Sequence, residues 1–321
     1  MKQSFATLLV LSLALCSIQC SYDEGLAKEY IYASALAYCP SSRVMAGGCK
    51  AATTTTENLG MTPLFSVGND ESANPIYMTI LKRDSPKEII VTFSGTKGAE
   101  ELIEEITHIS PKDYDIHEVK DAKVFEYFYQ HYEKDFRQAL QDQLLTIVNQ
   151  VEYKGYRVVF TGHSLGGALA VHAAADSSLG GMFIDNEVYI YTYGQPRVGN
   201  TKFNDGFKNK VSQFYRLVHS HDPVPHLPPC VPDFKDGCVE SGILIPIFPY
   251  HAPTEIFYDT EFSSFKICST TEGEDSSCSD KDVNDNIEHH LTYFGVEVGQ
   301  FHAHDSQVLE TNSNVEILLK A

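Results

Sequence analysis

The chain has 321 residues, a formal net charge of -19 at pH 7 and 43% hydrophobic residues. Such an acidic surface repels phosphate backbones and offers no basic patch for anionic lipid headgroups, which argues against a nucleic-acid-binding protein. The length fits one α/β domain built around a single core.

The first twenty residues have the pattern of a secretory signal peptide. Lys2 precedes an apolar core, Ala6–Ala14, that is too short to span a bilayer. Cleavage after Cys16 or after Cys20 fits equally well, and an uncleaved anchor is the alternative. We therefore expect a signal at 1–20, one domain at 21–321, and a secreted protein or one in the lumen of the secretory pathway. No other segment is apolar for long enough to predict stable membrane insertion.

Six cysteines remain after the signal. An even number in a secreted chain predicts three disulfides, although six cysteines allow fifteen pairings. Pairing of sequence neighbours is the first interpretation, and it gives Cys39–Cys49, Cys230–Cys238 and Cys268–Cys278.

The first elements predict one layer of helix over a sheet. Tyr22–Tyr38 has apolar residues at helical spacing, whereas the Thr-rich Ala51–Asn58 lacks periodicity and is predicted to be a loop. Pro75–Arg83 and Glu88–Phe93 have strand character, and the second is apolar enough to be central.

A short amphipathic stretch, Ala99–Ile106, follows the turn after the second strand. Its apolar residues Leu102, Ile103 and Ile106 share one face and glutamates occupy the other. This stretch is a candidate lid over an apolar pocket, and simple packing on the domain is the alternative.

Ala122–Val151 is a long helical pattern with a core face at three- and four-residue intervals. A strand, Tyr156–Thr161, comes next, and an Ala-rich helix former, Ala168–Ala175, begins soon after it. Further strands are predicted at Glu187–Thr192 and Phe214–Val218. The order of strand, helix and strand predicts a largely parallel sheet.

Gly162-His163-Ser164-Leu165-Gly166 joins the predicted strand to the Ala-rich helix. A serine at such a sharp turn has strained backbone angles, and the flanking glycines let strand and helix pass closely. Ser164 is therefore a candidate nucleophile at the carboxyl end of a strand. The N–H groups of Leu165 and of Thr96, which lies in the loop after the earlier central strand, are candidate oxyanion donors. An ordinary strand-ending turn is the alternative for Thr96. His163 is expected to be a packing residue.

A serine nucleophile requires a base and an acid. Asp222 lies in a loop just past a predicted strand, where a triad acid would orient an imidazole, although an aspartate before proline also forms turns. In α/β-hydrolases the histidine follows the acid. The candidates are His226, His251, His289, His290, His302 and His304. His289 and His290 follow an acidic loop and precede the final elements, and sequence physics does not choose between them.

Several blocks together resemble the class 3 lipases, the filamentous-fungal triacylglycerol lipase type. They are Phe93–Thr96, Thr161–Ala170, Tyr193–Asn200, His219–Pro229 and His290–Gly295. The resemblance implies an α/β-hydrolase fold, with a mostly parallel central sheet covered by helices. It also implies the nucleophile Ser164, the acid Asp222, the base His290 and the oxyanion residue Thr96. Family lids carry a tryptophan, which this chain lacks, and the Cys39–Cys49 region resembles secreted relatives outside the fungi.

The expected function is ester hydrolysis by a lipase acting on acylglycerols through an acyl-enzyme. The substrate is a lipid or another ester, at a lipid–water interface for a lipase. The alternatives are a phospholipase, a soluble carbohydrate or feruloyl-type esterase, and an inactive lipid-binding homologue. The oligomeric state is left open by the sequence.

No cofactor follows from this chemistry. A metal site at Glu288, His289, His302, His304 and Asp305 is a weaker interpretation. The acidic stretch Asp280–Leu291 lacks the sixth-position glycine and the twelfth-position acid of a calcium loop, so a solvated loop is expected.

Overall fold

The computed structural model describes residues 22–68, 72, 74–96, 110–231, 238, 249–281 and 285–301. The predicted signal peptide and the lid candidates Leu102, Ile103 and Ile106 lie outside these residues. Within the described ranges, no helix combines the length and apolarity needed to cross a bilayer.

Eight of the twelve strands in the described residues form one main sheet. The twelve strands are β1 (Met61–Gly68), β2 (Tyr77–Asp84), β3 (Lys87–Phe93), β4 (Pro111–Asp113), β5 (Lys123–Phe125), β6 (Arg157–His163), β7 (Val188–Tyr193), β8 (Gln213–His219), β9 (Glu255–Tyr258), β10 (Phe265–Ile267), β11 (Thr292–Tyr293) and β12 (Val296–Glu297). The main sheet has the order β1-β2-β3-β6-β7-β8-β9-β10. Strands β3, β6, β7, β8 and β9 are parallel, and the strands at the two edges are antiparallel. Two further pairs, β4 with β5 and β11 with β12, form small ribbons.

Helices cover both faces of this sheet. They are α1 (Glu24–Leu36), α2 (Ser41–Met45), α3 (Lys50–Asn58), α4 (Glu126–Gln130), α5 (Arg137–Val148), α6 (Leu165–Leu179), α7 (Thr201–Phe207) and α8 (Ile287–Leu291). A π-helical segment, His131–Phe136, joins α4 to α5, and short 3-10 turns lie at Val151–Tyr153, Lys208–Lys210, Val224–His226 and Ser279–Lys281.

The alternation of side chains along the central strands divides the core in two. On one face Val91 and Phe160 pack in a cluster with the alanines of α6. On the other face Ile90 and Val159 pack in a cluster with α1. Since successive residues of a strand point to opposite faces, these apolar strands are buried on both sides, as in other parallel sheets. The predicted α/β-hydrolase architecture with a mostly parallel sheet is confirmed.

The predicted loop at Ala51–Asn58 is wrong, because this segment lies in α3. One side of the helix is buried, and Cys49 at its start is bonded to Cys39 beside α1. The hydroxyls of Thr55 and Thr56 donate to the carbonyls of Ala51 and Ala52, four residues earlier, at 2.9 and 3.0 Å. Packing and these bonds override the weak helix propensity of threonine.

The helix predicted at Ala122–Val151 begins later than expected. Its first residues form β5, which pairs with β4, and the Phe125 N–H donates to the Val198 carbonyl at 3.1 Å. The rest of the range is helical through α4, the π-helical segment and α5.

The three predicted disulfides are present. They join Cys39 to Cys49, Cys230 to Cys238 and Cys268 to Cys278. Each links neighbours in sequence, so the first interpretation of the cysteine spacing is confirmed.

Candidate active site

The chain turns sharply at Ser164, between β6 and α6. Ser164 has φ 61° and ψ -131°, a backbone conformation that residues other than glycine rarely adopt. Its N–H donates to the Tyr193 carbonyl at 2.9 Å. A Cβ atom on Gly162 would lie 2.3 Å from the Gly166 carbonyl oxygen, and one on Gly166 would lie 2.2 Å from that of Phe93. Only glycine allows β6, α6 and β3 to approach this closely, so the predicted strand-turn-helix arrangement is present.

The structure brings Ser164, His290 and Asp222 together. Ser164 Oγ lies 2.9 Å from His290 Nε2, and His290 Nδ1 lies 3.0 Å from both carboxylate oxygens of Asp222. All three residues are at most 1% exposed. With Nδ1–H donating to the carboxylate, Nε2 is the acceptor facing the serine hydroxyl, which is the arrangement that general-base activation requires.

Two further donors hold the carboxylate of Asp222, which follows β8. The Val224 N–H donates to Oδ1 at 2.9 Å, and the Tyr293 hydroxyl donates to Oδ2 at 2.7 Å. Burial raises the pKa of Asp222, but the attraction of His290 and the hydrogen bonds from His290, Tyr293 and Val224 outweigh it and hold that pKa below its usual range. The acid is therefore ionised when the imidazole needs orienting.

Gly194, directly after β7, supports the contact between the acid and the base. It has φ +57°, and a Cβ atom here would lie 2.8 Å from both Asp222 Oδ2 and His290 Nδ1. The hydrogen bond between Asp222 and His290 thus passes over a residue that has no side chain.

His163 does more than pack. Its Nε2–H donates to the main-chain carbonyl of His290 at 2.7 Å, and its Nδ1 accepts from the Tyr38 hydroxyl at 2.8 Å. Burial, with the nearby His290 second, lowers the pKa of His163 to about 3. The neutral ring therefore links the turn after α1 to the segment that carries His290.

Thr96 and Leu165 both lie beside Ser164. Leu165 is the first residue of α6, where unpaired N–H groups and the positive end of the helix dipole favour an oxyanion. Thr96 lies just past β3, and its hydroxyl is buried without a hydrogen-bond partner among the described residues. Thr96, Ser164 and His290 line one cavity of about 240 Å³.

The adjacent histidines of α8 have different surroundings. His290 is buried against Ser164, whereas the Nδ1 of the half-buried His289 accepts from the His221 N–H at 3.1 Å. His226 and His251 hydrogen-bond elsewhere, to Asp280 and to the Pro225 carbonyl. The metal alternative remains untested, because His302, His304 and Asp305 lie outside the described residues.

Sequence reasoning missed Tyr293, Tyr38 and Gly194 as parts of this site. Tyr293 stands three residues after His290 in one of the blocks shared with the family, and Gly194 is the second residue of another, so both had a signal. Tyr38 had none, since it was one aromatic residue on an ordinary helical face.

Comparisons with known proteins agree with this geometry. The family described as Lipase (class 3) matches residues 90–232. Lipase ZK262.3 of Caenorhabditis elegans is 35% identical over 263 residues, covering 76% of this chain and 72% of the relative. The Rhizomucor miehei lipase is 31% identical over 225 residues, covering 68% of this chain but only 55% of the relative. One solved structure, a triacylglycerol lipase whose catalytic centre is a serine protease triad, has a TM-score of 0.70 at 26% identity and covers 87% of this chain and 96% of that chain. The chain therefore belongs to the class 3 lipase family of serine ester hydrolases.

Proposed function

We propose that this protein is a secreted lipase that hydrolyses acylglycerols with Ser164 as nucleophile, His290 as base and Asp222 as acid. The observation that supports this most strongly is the continuous hydrogen-bonded series from Ser164 Oγ through the imidazole to the carboxylate, at 2.9 and 3.0 Å. A serine hydroxyl becomes a useful nucleophile when an oriented imidazole accepts its proton.

The proposed reaction has two halves. In the first, Ser164 Oγ attacks the ester carbonyl carbon as its proton passes to His290 Nε2, and the imidazolium then protonates the departing alcohol oxygen. In the second, His290 takes a proton from water, the hydroxide attacks the acyl-enzyme, and the returned proton restores Ser164 as the fatty acid leaves. Asp222 remains ionised and stabilises the imidazolium in both halves.

The oxyanion of each tetrahedral intermediate is assigned to Leu165 and Thr96. The Leu165 N–H stands at the start of α6. The Thr96 hydroxyl, which has no hydrogen-bond partner in the described part of the chain, lines the same cavity as Ser164. Donors fixed before the reaction stabilise developing charge without reorganisation.

Neutral acylglycerols fit the described lining better than anionic phospholipids. Glu288 and Glu297 line the cavity with Ser164, and none of its described lining residues is a lysine or an arginine. Carboxylates in the lining disfavour an anionic headgroup. The substrate class of the related triacylglycerol lipase supports the same assignment.

Secretion is supported by the three disulfides, which form and persist in oxidising compartments. A signal at 1–20 would deliver the chain there. Amino-terminal sequencing of the protein recovered from culture medium tests this part, and finding an intact residue 1 would contradict it.

Ser164→Ala tests the nucleophile. We expect hydrolysis of a p-nitrophenyl ester to fall by at least about 1,000-fold while the circular dichroism spectrum is unchanged, because the variant keeps the fold but cannot form the acyl-enzyme. Retained turnover would refute the assignment. His290→Ala and His289→Ala form a matched pair for the base, with the larger loss expected at His290.

The substrate class is tested by comparing rates on long-chain triglyceride emulsions, neutral and anionic phospholipid vesicles, and soluble short-chain esters. The proposal predicts the highest rate on neutral glyceride and a rise in rate when substrate exceeds its solubility limit. Faster turnover of phospholipid or of a soluble ester would indicate those activities instead, and binding without turnover would indicate an inactive homologue.

A further inference from the structure

His219, the last residue of β8, is a buried histidine whose two ring nitrogens both face carbonyl oxygens. Nδ1 lies 2.9 Å from the His289 oxygen and 2.8 Å from the Thr292 oxygen, while Nε2 lies 3.0 Å from the Thr260 oxygen. His219 is 4% exposed, and it lines a cavity of about 470 Å³.

These contacts restrict the protonation of the ring. A carbonyl oxygen only accepts hydrogen bonds, and a neutral imidazole has one N–H donor. A neutral His219 ring would therefore direct the lone pair of its other nitrogen at a carbonyl oxygen, an unfavourable contact between two acceptors. We propose that His219 is a doubly protonated positioning residue, whose two N–H groups hold the segment that carries His290.

The contacts of His219 surround that segment. His289 and Thr292, whose carbonyls accept from Nδ1, lie on either side of His290 in sequence, and the carbonyl of His290 itself accepts from His163. Thr260 fixes the other end of the ring to the turn after β9. The backbone around the base is thus held by two histidines, one neutral and one cationic.

Aromatic rings and charges around His219 fit a cation. The Phe262 ring centre lies 4.3 Å away and that of Tyr293 lies 5.8 Å away, and the His289 ring stacks at 4.5 Å. Electron-rich ring faces stabilise a buried cation.

Charged groups lie near this ring from each neighbouring element. Glu261 and Lys28 line the same cavity, and Lys28 is paired with Glu24 at 3.0 Å. On its own element and on α8, His221 and His289 are titratable neighbours, and a charge on His219 or His221 lowers the pKa of His289 after burial, the larger cause. Asp222 is the nearest acid in sequence. The Tyr293 hydroxyl donates to its carboxylate and accepts from the main-chain N–H of His219. The lowered pKa values of His289 and Asp222 favour a neutral ring and a carboxylate at these two positions, which is compatible with one cation at His219.

The functional consequence rests on the proposed triad. When His219 loses one proton, either the Thr260 contact or the His289 and Thr292 contacts must break, and α8 loosens. A displacement of about 1 Å between His290 and Ser164 can lower the rate by roughly 100-fold. Activity should therefore be present while His219 is doubly protonated and fall as pH rises through its deprotonation.

The charge state can be measured without activity. In protein labelled with ¹⁵N-histidine, the inference predicts two nearly equivalent protonated ring nitrogens for His219 at neutral pH, absent from the spectrum of His219→Asn. Widely separated nitrogen shifts, which mark a neutral ring, would overturn it. Assignment through bonded nuclei in the wild-type chain gives the same answer if the variant fails to fold. Ser164→Ala should leave these signals unchanged, so the result stands apart from the fate of the proposed triad.

The positioning role is measured by the pH profile of kcat. In the wild type, the alkaline fall in kcat should coincide with the loss of one His219 proton seen by NMR. His219→Asn keeps a donor on the Nδ1 side but cannot titrate, so we expect a 10- to 100-fold lower kcat, in order of magnitude, with little change in KM and no such alkaline fall. His131→Gln, in the π-helical segment between α4 and α5, is the control and should keep the wild-type profile. An alkaline fall that survives in His219→Asn would overturn the role.

Discussion

The hydroxyl of Tyr293 shares the carboxylate of Asp222 with the imidazole of His290. Tyr293→Phe removes that donor and makes the carboxylate more basic. We expect kcat/KM to fall about 10-fold, because the carboxylate loses a donor that fixes its orientation toward His290, and a hydrogen bond to a charged group contributes roughly 1.5 kcal/mol. The acid limb of the pH–rate profile should move to higher pH, because a more basic carboxylate stabilises the imidazolium more strongly.

Tyr191→Phe is the matched control for this change. Tyr191 is also buried, but its hydroxyl donates to Gln213 at 3.3 Å, away from the triad. Its acid limb should coincide with that of the wild type. Equal shifts in both variants would mean that Tyr293 acts on general packing and not on Asp222.

At the scale of elements, a substitution in the turn after β7 tests whether the triad needs the space that Gly194 leaves free, apart from any backbone strain. In Gly194→Ala the new Cβ would lie 2.8 Å from both Asp222 Oδ2 and His290 Nδ1. We expect kcat/KM to fall by about 100-fold or more, because the acid and base must move apart. Steady-state hydrolysis of a p-nitrophenyl ester measures this.

Gly155→Ala provides the comparison at the same scale. Gly155 also has a left-handed backbone, at φ +78°, but nothing lies within 4 Å of an added Cβ. Both variants should lose stability by roughly 1 to 2 kcal/mol from backbone strain, whereas only Gly194→Ala should lose most of its activity. Similar activities in the two would contradict the steric explanation.

The elements that sequence predicted best were the central ones. β3 and β6 are apolar runs buried on both faces, so their pattern is strong. β1 was missed because Pro63 lies in it, and the pairing with β2 shifts register between Pro63 and Phe65. An edge strand tolerates a proline and a bulge that a sequence pattern treats as a break. At α3 the prediction failed in the opposite direction. Tertiary packing stabilises a helix in a segment whose threonines have weak helix propensity.

The choice of the catalytic base shows the same limit of sequence-based prediction. Ser164 and Asp222 are marked by turn and strand-end chemistry, but His289 and His290 are consecutive on α8. Neighbours on a helix point about 100° apart, so docking of α8 decides which ring reaches Ser164. That information is tertiary and is absent from local pattern.

For the whole molecule, buried histidines predict sensitivity to acid. Burial lowers the pKa of His163 and of His172 to about 3 and that of His251 well below its ordinary value. The unfolded chain takes up protons near pH 6.5 that the folded protein cannot accept. Their stabilisation is therefore complete above about pH 6.5 and declines as pH falls toward 3, by roughly 1.4 kcal/mol per pH unit for each histidine.

His172→Leu isolates one of these protons. Both ring nitrogens of His172 lack hydrogen-bond partners among the described residues, so leucine removes no polar contact. We expect the free energy of unfolding, from urea titrations followed by circular dichroism, to decline less steeply between pH 6 and 4, by about 1.4 kcal/mol per pH unit. An unchanged slope in His172→Leu would show that its protonation is not coupled to folding.

The nucleophile and the base are separated by 126 positions along the chain. During translation, Ser164 emerges long before His290, and the elbow can form while the imidazole is still inside the ribosome. A nascent lipase would then lack a base until nearly all the described chain has been made. Chains that stop short of His290 would therefore carry the nucleophile without the base that activates it.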